Sequence, residues 1–280
     1  MQFQVHLFAD RIICDLEYAP DPLRNTFPLR IANNYSQTLY FKIVLNVPNW
    51  SIESPTDGKL GGVGSGGDTY RVVTISRSKP TDEVTETGTI TVEAYTDSEY
   101  TNKIDEATLN VTIEVVNIKT WTVLGWTFDD GTSQGWTISG EISDERSVIT
   151  GGYSMRHHAY SGETTAYIEK TIALPSGTKC IGIVYIKGRC WANRYIAWRV
   201  TKVVVKVNGN IIYEWKGASF YDTNGNVGSA EFPWRKIAFD LSQYTDQTIT
   251  LRIEVTAETY YCADGCNQVI YLDDPTIGVK

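Results

Sequence analysis

Residues 249–257 alternate strictly between apolar and polar side chains. The apolar positions are Ile249, Leu251, Ile253, Val255 and Ala257. Because successive side chains of a β-strand point to opposite faces, this segment places one face on a core and the other in water. A helix needs apolar residues three and four positions apart, and no stretch of about eleven residues or more shows that spacing. The chain is therefore predicted to be all-β.

The same alternation recurs along the chain and predicts several antiparallel strands. It is clear in residues 39–47, 109–115 and 203–207, and Asn208-Gly209 supplies a tight hairpin turn after the last of these. The chain has 17 Tyr and 8 Trp but only 2 Met, and aromatic residues suit a pleated, half-buried surface. Residues 58–68 are rich in glycine, which weakens regular structure, so they are predicted to form a loop.

The length of the chain and a change of pattern indicate two domains. At 280 residues the chain is long enough to bury two cores. A strand ends near residue 117, and a new pattern opens at Gly125-Trp126-Thr127-Phe128. We predict two β-sandwich domains, residues 1–120 and 121–280.

The first domain carries weak motifs of a known type. They are Ile31-Ala32-Asn33-Asn34, Tyr40-Phe41-Lys42-Ile43, Val47-Pro48-Asn49-Trp50-Ser51 and a closing strand at residues 107–115. In this order they resemble the immunoglobulin-like modules of prokaryotic surface and secreted proteins. The resemblance implies a spacer or assembly role, and Trp50 is then expected in the core.

The second domain carries five short motifs in a fixed order. They are Phe128-Asp129-Asp130-Gly131 with Gln134-Gly135-Trp136, then Gly151-Gly152-Tyr153-Ser154-Met155-Arg156, Val207-Asn208-Gly209, Phe239-Asp240-Leu241 after Trp234, and Tyr271-Leu272-Asp273-Asp274. Together they resemble the galactose-binding-like jelly rolls found in many carbohydrate-binding modules. That resemblance implies a jelly-roll fold, which also serves as a structural or protein-binding module.

The jelly-roll resemblance also implies a structural calcium ion. In such folds the first and last strands run side by side, and carboxylates meet a loop carbonyl around the ion. The corresponding ligands here are Asp129, the loop at Gly152, and Asp273, and hard oxygen ligands suit Ca²⁺. The alternative is that these acidic residues lie at strand ends and face water. Pro275 departs from the β-branched residue usual at its position, which puts the last strand in doubt.

A glycan-binding site is the second functional hypothesis. Sugars stack their apolar faces on aromatic rings and bond their hydroxyls to polar groups, and residues 189–199 offer both kinds of side chain. The candidate ligand-binding residues are Trp191, Arg194, Tyr195, Trp198 and Trp215. If strand alternation runs back unbroken from Val203, Trp191 and Tyr195 face inward and Trp198 faces outward.

The cysteines suggest disulfide bonds. Of five, Cys14 stands alone, whereas Cys180, Cys190, Cys262 and Cys266 fall in the second half. Four cysteines allow three pairings, among which the sequence does not choose. One or two bridges would imply an oxidising setting. A zinc site is the alternative, although no paired C-x-x-C spacing is present.

Several functional classes are disfavoured. A net charge of −8 argues against a nucleic-acid partner, and no run of about eighteen apolar residues could span a membrane. No catalytic sequence motif is found, and the adjacent His157 and His158 would point to opposite faces of a strand, so no enzyme is expected. No secretory signal is visible in the first ten residues.

The sequence therefore predicts a non-catalytic protein that binds carbohydrate or attaches to a surface through its jelly roll. Its partner would be a glycan or cell-surface polysaccharide, and its location extracellular, on a cell surface or on a virion. The alternative is a structural protein of a virion or extracellular filament, which assembles with copies of itself or with other surface proteins.

Overall fold

The computed structural model of the protein describes residues 3–7, 11–16, 19, 21–144, 153–160, 162–192, 196–216, 220–222, 228–262 and 267–280. The chain divides into two compact units, Met1–Asn117 and Ile118–Lys280, whereas the sequence pattern placed the division after residue 120. In the described ranges the regular structure consists of β-strands and three short 3₁₀ helices, η1 (Thr56–Gly58), η2 (Ile118–Thr120) and η3 (Ser242–Tyr244). None of these helices is long and apolar enough to cross a membrane.

The first unit is a sandwich of two sheets. Its strands in the described ranges are β1 (Phe3–Leu7), β2 (Arg11–Asp15), β3 (Leu23–Asn33), β4 (Leu39–Asn46), β5 (Ser51–Ser54), β6 (Lys59–Val63), β7 (Asp68–Arg77), β8 (Val84–Tyr95) and β9 (Lys103–Val116). One sheet has the order β1-β3-β7-β5 and the other β2-β9-β8-β4-β6. β2 pairs with β9 in parallel, so the N-terminal segment contributes one strand to each sheet.

The core of this unit follows the alternation in the sequence. Phe41 and Ile43 on β4 and Val111 and Ile113 on β9 are buried in one cluster, which draws on both sheets. Trp50 also lies in this cluster, as the sequence predicts. The fold class expected from the pattern is therefore confirmed for this unit.

The glycine-rich residues 58–68 are not simply a loop, and that prediction was wrong. They contain β6, which pairs with β4 and extends its sheet. Gly58 has a φ of +71°, and a Cβ there would stand 2.2 Å from the carbonyl oxygen of Ile43. Glycine is therefore required where η1 passes close to β4, just before β6 begins.

The second unit is also a sandwich of two sheets, the jelly-roll unit. Its strands in the described ranges are β10 (Thr122–Gly125), β11 (Thr137–Ile138), β12 (Glu141–Ser143), β13 (Ser154–Tyr160), β14 (Glu163–Ala173), β15 (Cys180–Ala192), β16 (Ile196–Val207), β17 (Asn210–Lys216), β18 (Phe220–Asp222), β19 (Gly228–Asp240), β20 (Thr248–Cys262) and β21 (Asn267–Val279). The front sheet has the order β12-β13-β21-β15-β19, with β10 also paired to β21. The back sheet has the order β11-β14-β20-β16-β17, with β18 also paired to β16.

The apolar sides of the two sheets form one core. The five apolar residues of the alternating segment 249–257 all lie in it, on β20, together with Val203 and Val205 on β16 and Ile270 and Leu272 on β21. Asn208 and Gly209 have φ angles of +50° and +84°, which suit the tight turn that joins β16 to β17. The strand pattern and the hairpin turn are confirmed.

Pro275 does not end the last strand. β21 continues through it to Val279, and the register of β15 against β21 shifts where Tyr185 pairs with Asp273 and Ile183 pairs with Thr276. Asp274, inside this shift, has a φ of +47°. Such a bulge accommodates a proline within a strand. Pairing is already irregular at the bulge, so the backbone N–H that proline lacks does not interrupt it.

Candidate functional site

The outer face of the front sheet is built from three aligned rows of side chains on β13, β21 and β15. The backbone register sets the rows as Tyr160, Asn267 and Trp191; His158, Val269 and Arg189; and Arg156, Tyr271 and Lys187. Successive rows are two residues apart along the strands, or about 7 Å. We call these nine residues the front face.

Four residues in the first two rows are exposed and touch one another. Tyr160 is 71% exposed and Trp191 is 38% exposed, and His158 and Arg189 are exposed beside them. The His158 ring lies 5.1 Å from the Tyr160 ring and stacks on Trp191, at 6.3 Å between centroids and 9° between planes. The Arg189 guanidinium lies 5.5 Å from the centre of the Trp191 ring. We call these four residues the exposed quartet.

The third row continues the pattern of rings and cations. The Lys187 ammonium lies 5.7 Å from the centre of the buried Tyr271 ring and 5.9 Å from that of Trp234 on β19. The Trp234 and Tyr271 rings are themselves 6.2 Å apart. Arg156 forms an ion pair with Glu141 on β12. Cations held over aromatic faces are attracted by the ring quadrupole, which fixes their positions.

The outer face of the back sheet carries ion pairs, and Arg252 there also lies 3.8 Å from the centre of the Tyr167 ring. Lys206 and Arg252 both bond to Glu254, at 2.8 and 2.7 Å, and Arg252 also reaches Glu169. Burial tends to raise the pKa of Glu254, but the hydrogen bonds from Lys206 and Arg252 outweigh it, so this pKa lies below its ordinary value. Thr165 and Thr256 face each other at 2.9 Å. These cations are matched by carboxylates within the sheet, as on an ordinary solvated surface.

The front face therefore combines two kinds of contact in one surface. Exposed ring faces accept the apolar side of a planar or sugar-like ligand, since aromatic side chains present a large apolar surface with few rotatable bonds. The adjacent guanidinium, ammonium and imidazole groups supply hydrogen bonds that fix orientation. Such a combination of groups is suited to binding a ligand.

The structure changes the predicted set of ligand-binding residues. Trp191 is exposed, so the inward direction inferred by counting back from Val203 was wrong. β15 ends at Ala192 and β16 begins at Ile196 in the other sheet, so the alternation does not run through. Trp215 is only 4% exposed and lies in the core, which removes it from any surface site. Arg194 and Tyr195 lie outside the described residues, as does the side chain of Trp198.

Several residues of the front face were not found from the sequence. His158, Tyr160 and Lys187 were missed because they join Trp191 only through the pairing of distant strands. The one local signal was the segment His157-His158-Ala159-Tyr160, whose adjacent histidines were expected on opposite faces. That expectation is confirmed: His158 is exposed, whereas both ring nitrogens of His157 contact Ser139 and Thr164, each at 2.9 Å.

Of the predicted calcium ligands, Asp129 lies in the segment after β10 and Asp273 lies within β21. β10 and β21 run side by side, and the exposed Asp129 follows β10. One Asp129 carboxylate oxygen accepts a hydrogen bond from the Tyr153 backbone N–H at 3.4 Å. Asp273 is fully buried, and its Oδ1 accepts from the Asp274 N–H at 2.8 Å. Gly152 lies outside the described residues, and within the described ranges no three His, Cys, Asp or Glu side chains cluster to hold a metal.

Among the described residues, Cys14, Cys180 and Cys190 form no disulfide bond. Cys180 and Cys190 are both fully buried, and burial raises the pKa of each thiol to about 12, with Asp240 adding to the rise at Cys180. They lie towards opposite ends of β15, about 30 Å apart along an extended strand, so they cannot bridge each other. The disulfide prediction is therefore corrected at these two positions. Cys266 and the side chain of Cys262 lie outside the described residues.

Comparison with known proteins gives likenesses of fold alone. No protein-family model and no curated protein matches the chain. Among solved structures, the CBM27-1 of Caldicellulosiruptor saccharolyticus in complex with mannohexaose is 13% identical, with 55% of this chain and 96% of that chain covered and a TM-score of 0.35. The CBM22-1 xylan-binding domain of Paenibacillus barcinonensis Xyn10C is 19% identical, with 56% and 94% covered and a TM-score of 0.30.

Immunoglobulin-like domains appear among the neighbours as well. A PapD-like domain of human CEP192 is 14% identical, with 41% of this chain and 84% of that chain covered and a TM-score of 0.28. The neighbours thus include both carbohydrate-binding modules and a PapD-like domain, the two kinds of β-sandwich that the sequence motifs resemble. At these identities and TM-scores, the likeness identifies neither a binding site nor a ligand.

Proposed function

We propose that this protein is a non-catalytic carbohydrate-binding protein, which attaches outside a cell to a glycan or cell-surface polysaccharide through the front face. The observation that carries this proposal is the exposed quartet. Its two exposed aromatic rings are Tyr160 and Trp191, and Trp191 is aligned with the His158 imidazole and covered on part of one face by Arg189.

The contacts that the two rings make with neighbouring side chains also support this proposal. Tyr160 and Trp191 occupy the same row on strands that flank Asn267, and each also contacts a neighbouring side chain. A ligand that binds such a surface orders few additional side chains, so less conformational entropy is lost on binding. Aromatic rings next to polar groups suit sugars, which present an apolar face and a hydroxyl edge.

We propose a structural calcium ion as part of the same unit. Carboxylate oxygens such as those of Asp129 and Asp273 are donors of the kind that Ca²⁺ prefers. Asp129 and Asp273 would hold the ion together with loop carbonyls. When bound, it would link the segment after β10 to β21.

The test of the proposed function is a glycan-array screen followed by calorimetric titration of each ligand found. Replacing Trp191 with alanine is expected to weaken binding about tenfold or more, because aromatic anchors dominate such contacts. Tyr167→Ala is the matched control, since Tyr167 lies under Arg252 on the back sheet. An array on which the protein binds no glycan, or a Trp191→Ala variant that binds like wild type, would contradict the proposal.

A further inference from the structure

We propose that the glycan bound by the front face carries acetamido groups, and that Asn267 is the residue that distinguishes them from plain hydroxyl groups. This inference rests on the proposed function and names the class of sugar. It comes from the row of Tyr160, Asn267 and Trp191, which places an amide side chain between two residues with exposed aromatic rings.

Asn267 lies at the centre of this row. It pairs with Tyr160 on one side and with Trp191 on the other, and neighbouring strands lie about 4.8 Å apart. Asn267 is half-buried, whereas Tyr160 and Trp191 are exposed on either side of it. A sugar that stacks on either ring therefore brings the groups at its edge to the Asn267 side chain.

One half of the Asn267 amide is occupied within the protein. Its Oδ1 lies 3.2 Å from Nε2 of the exposed His158, and because an amide oxygen only accepts, Nε2 is the donor in this contact. The other half, the Nδ2 amino group, has two N–H donors and no hydrogen-bond partner in the described part of the chain. The contact with His158 holds the amide in one orientation, so a ligand at this position must supply an acceptor.

The two rings beside Asn267 add further donors. The Trp191 indole N–H can only donate, and the Tyr160 hydroxyl can donate or accept. Within the described ranges neither group is hydrogen-bonded to the protein. A ligand that matches this row must therefore present an acceptor next to an apolar surface.

An acetamido group meets both requirements. Its carbonyl oxygen accepts, and its methyl group and planar amide pack on an aromatic ring. Its N–H points away from the carbonyl, so the carbonyl alone can face the donors of the row. A sugar hydroxyl combines donor and acceptor at one atom and brings no methyl group to the rings. The acetamido group is also uncharged, which suits a protein with a net charge of −8 better than an anionic acceptor does.

The experiment compares sugars that differ only in the acetamido group. Intact protein is titrated calorimetrically with oligomers of N-acetylglucosamine and with glucose oligomers of the same length and linkage. N-acetylgalactosamine and galactose form a second pair, which differs from the first in the configuration of one hydroxyl group. At least one acetamido sugar is expected to bind about tenfold more tightly than its hydroxyl counterpart, through one more hydrogen bond and a buried methyl group.

Asn267→Asp removes the Nδ2 donor and keeps an acceptor oxygen for His158. This variant is expected to lose the preference for the acetamido sugar. Asn210→Asp is the matched control, the same replacement at an exposed position on β17 of the back sheet, and it is expected to keep the preference. Thermal melting of both variants confirms that each is folded, and the comparison of the paired sugars on wild type needs no variant.

Equal affinity of wild type for the members of each pair, with binding still lost in Trp191→Ala, overturns the acetamido inference and leaves the proposed function standing. Binding only of glycans that lack acetamido groups does the same. A preference that persists in Asn267→Asp overturns the role of Asn267. No binding of any glycan on the array overturns both the inference and the proposed function.

Discussion

The imidazole ring of His158 lies parallel to the indole ring of Trp191, at 6.3 Å between ring centroids, although β21 separates the strands that carry them. The two side chains meet above Asn267 and Val269, which occupy the intervening strand. Their contact ties the outer ends of β13 and β15 together across a third strand. The front face is therefore a product of strand pairing, because the register of the sheet brings these side chains together.

Trp191 and Trp215 are expected to respond in opposite ways to replacement by alanine. Trp215 lies in the core, so Trp215→Ala is expected to lower the free energy of unfolding by about 3–5 kcal/mol. Trp191→Ala removes an exposed side chain and is expected to change it by less than about 1 kcal/mol. Urea denaturation of both variants measures the difference. A large loss of stability in Trp191→Ala would show that the front face serves the fold instead of a ligand.

The burial of side chains could be predicted from the sequence within a strand, but not from one strand to the next. Alternation within a strand predicts burial well, because a β-strand fixes side-chain direction by its pleat: the apolar residues of segment 249–257 are all in the core. The inference failed between β15 and β16, where the chain leaves one sheet and enters the other. Side-chain direction is not carried through such a crossing, so Trp191 could not be oriented from Val203.

The exposed quartet could not be predicted for a second physical reason. His158 and Arg189 become neighbours of the same Val269 only because β13 and β15 both pair with β21. Local pattern contains no information about which strands pair or in what register. Likewise, the glycines of residues 58–68 indicated a loop, whereas Gly58 permits η1 to approach Ile43 closely. That distinction depends on tertiary contact and not on composition.

Cys180 and Cys190 are expected to resist alkylation in the folded protein. Burial raises the pKa of both thiols to about 12, so the reactive thiolate is scarce at mildly alkaline pH. Mass spectrometry after treatment with iodoacetamide is expected to find them unmodified, and fully modified in urea. Labelling of the native protein would contradict their burial.

The same two thiols are expected to make the stability of the second unit fall at high pH. In the unfolded chain a cysteine thiol has its ordinary pKa of 9.0, whereas in the folded chain the pKa is about 12. Because the folded state holds these protons more tightly, their contribution to stability is complete below pH 9.0 and is lost as the pH rises towards 12. Urea denaturation at a series of alkaline pH values measures this loss, and Cys180→Ala is expected to make it smaller.

Calcium is expected to raise the melting temperature if Asp129 and Asp273 hold it. A ligand present at about 100 times its dissociation constant adds about 2.7 kcal/mol to stability. For a unit of this size that corresponds to a shift of about 5–10 °C. Differential scanning calorimetry with calcium and with a chelator measures the shift. Asp129→Asn is expected to abolish it, whereas Asp130→Asn, whose side chain bonds to Thr132, leaves it intact. Identical melting with and without calcium would exclude the ion.

Glu86 is expected to contribute to the stability of the first unit. Its carboxylate accepts hydrogen bonds from the Trp50 indole and the Asn49 amide, both at 2.7 Å, and it pairs with Arg77 at 2.5 Å. The Arg77 and Glu86 side chains are only 10% and 13% exposed, so water replaces a lost partner poorly. Glu86→Gln is therefore expected to lower the free energy of unfolding by about 2 kcal/mol.

The matched variant for Glu86 is Glu53→Gln. Glu53 also pairs with an arginine, Arg24, but both side chains are largely exposed and water screens their attraction. This variant is expected to unfold at nearly the same urea concentration as wild type, while Glu86→Gln unfolds at a clearly lower one. Equal midpoints for the two variants would mean that burial adds nothing to the Arg77–Glu86 pair. A lower midpoint only for Glu86→Gln shows that the carboxylate, which bonds to Trp50 and Arg77, stabilises the sandwich.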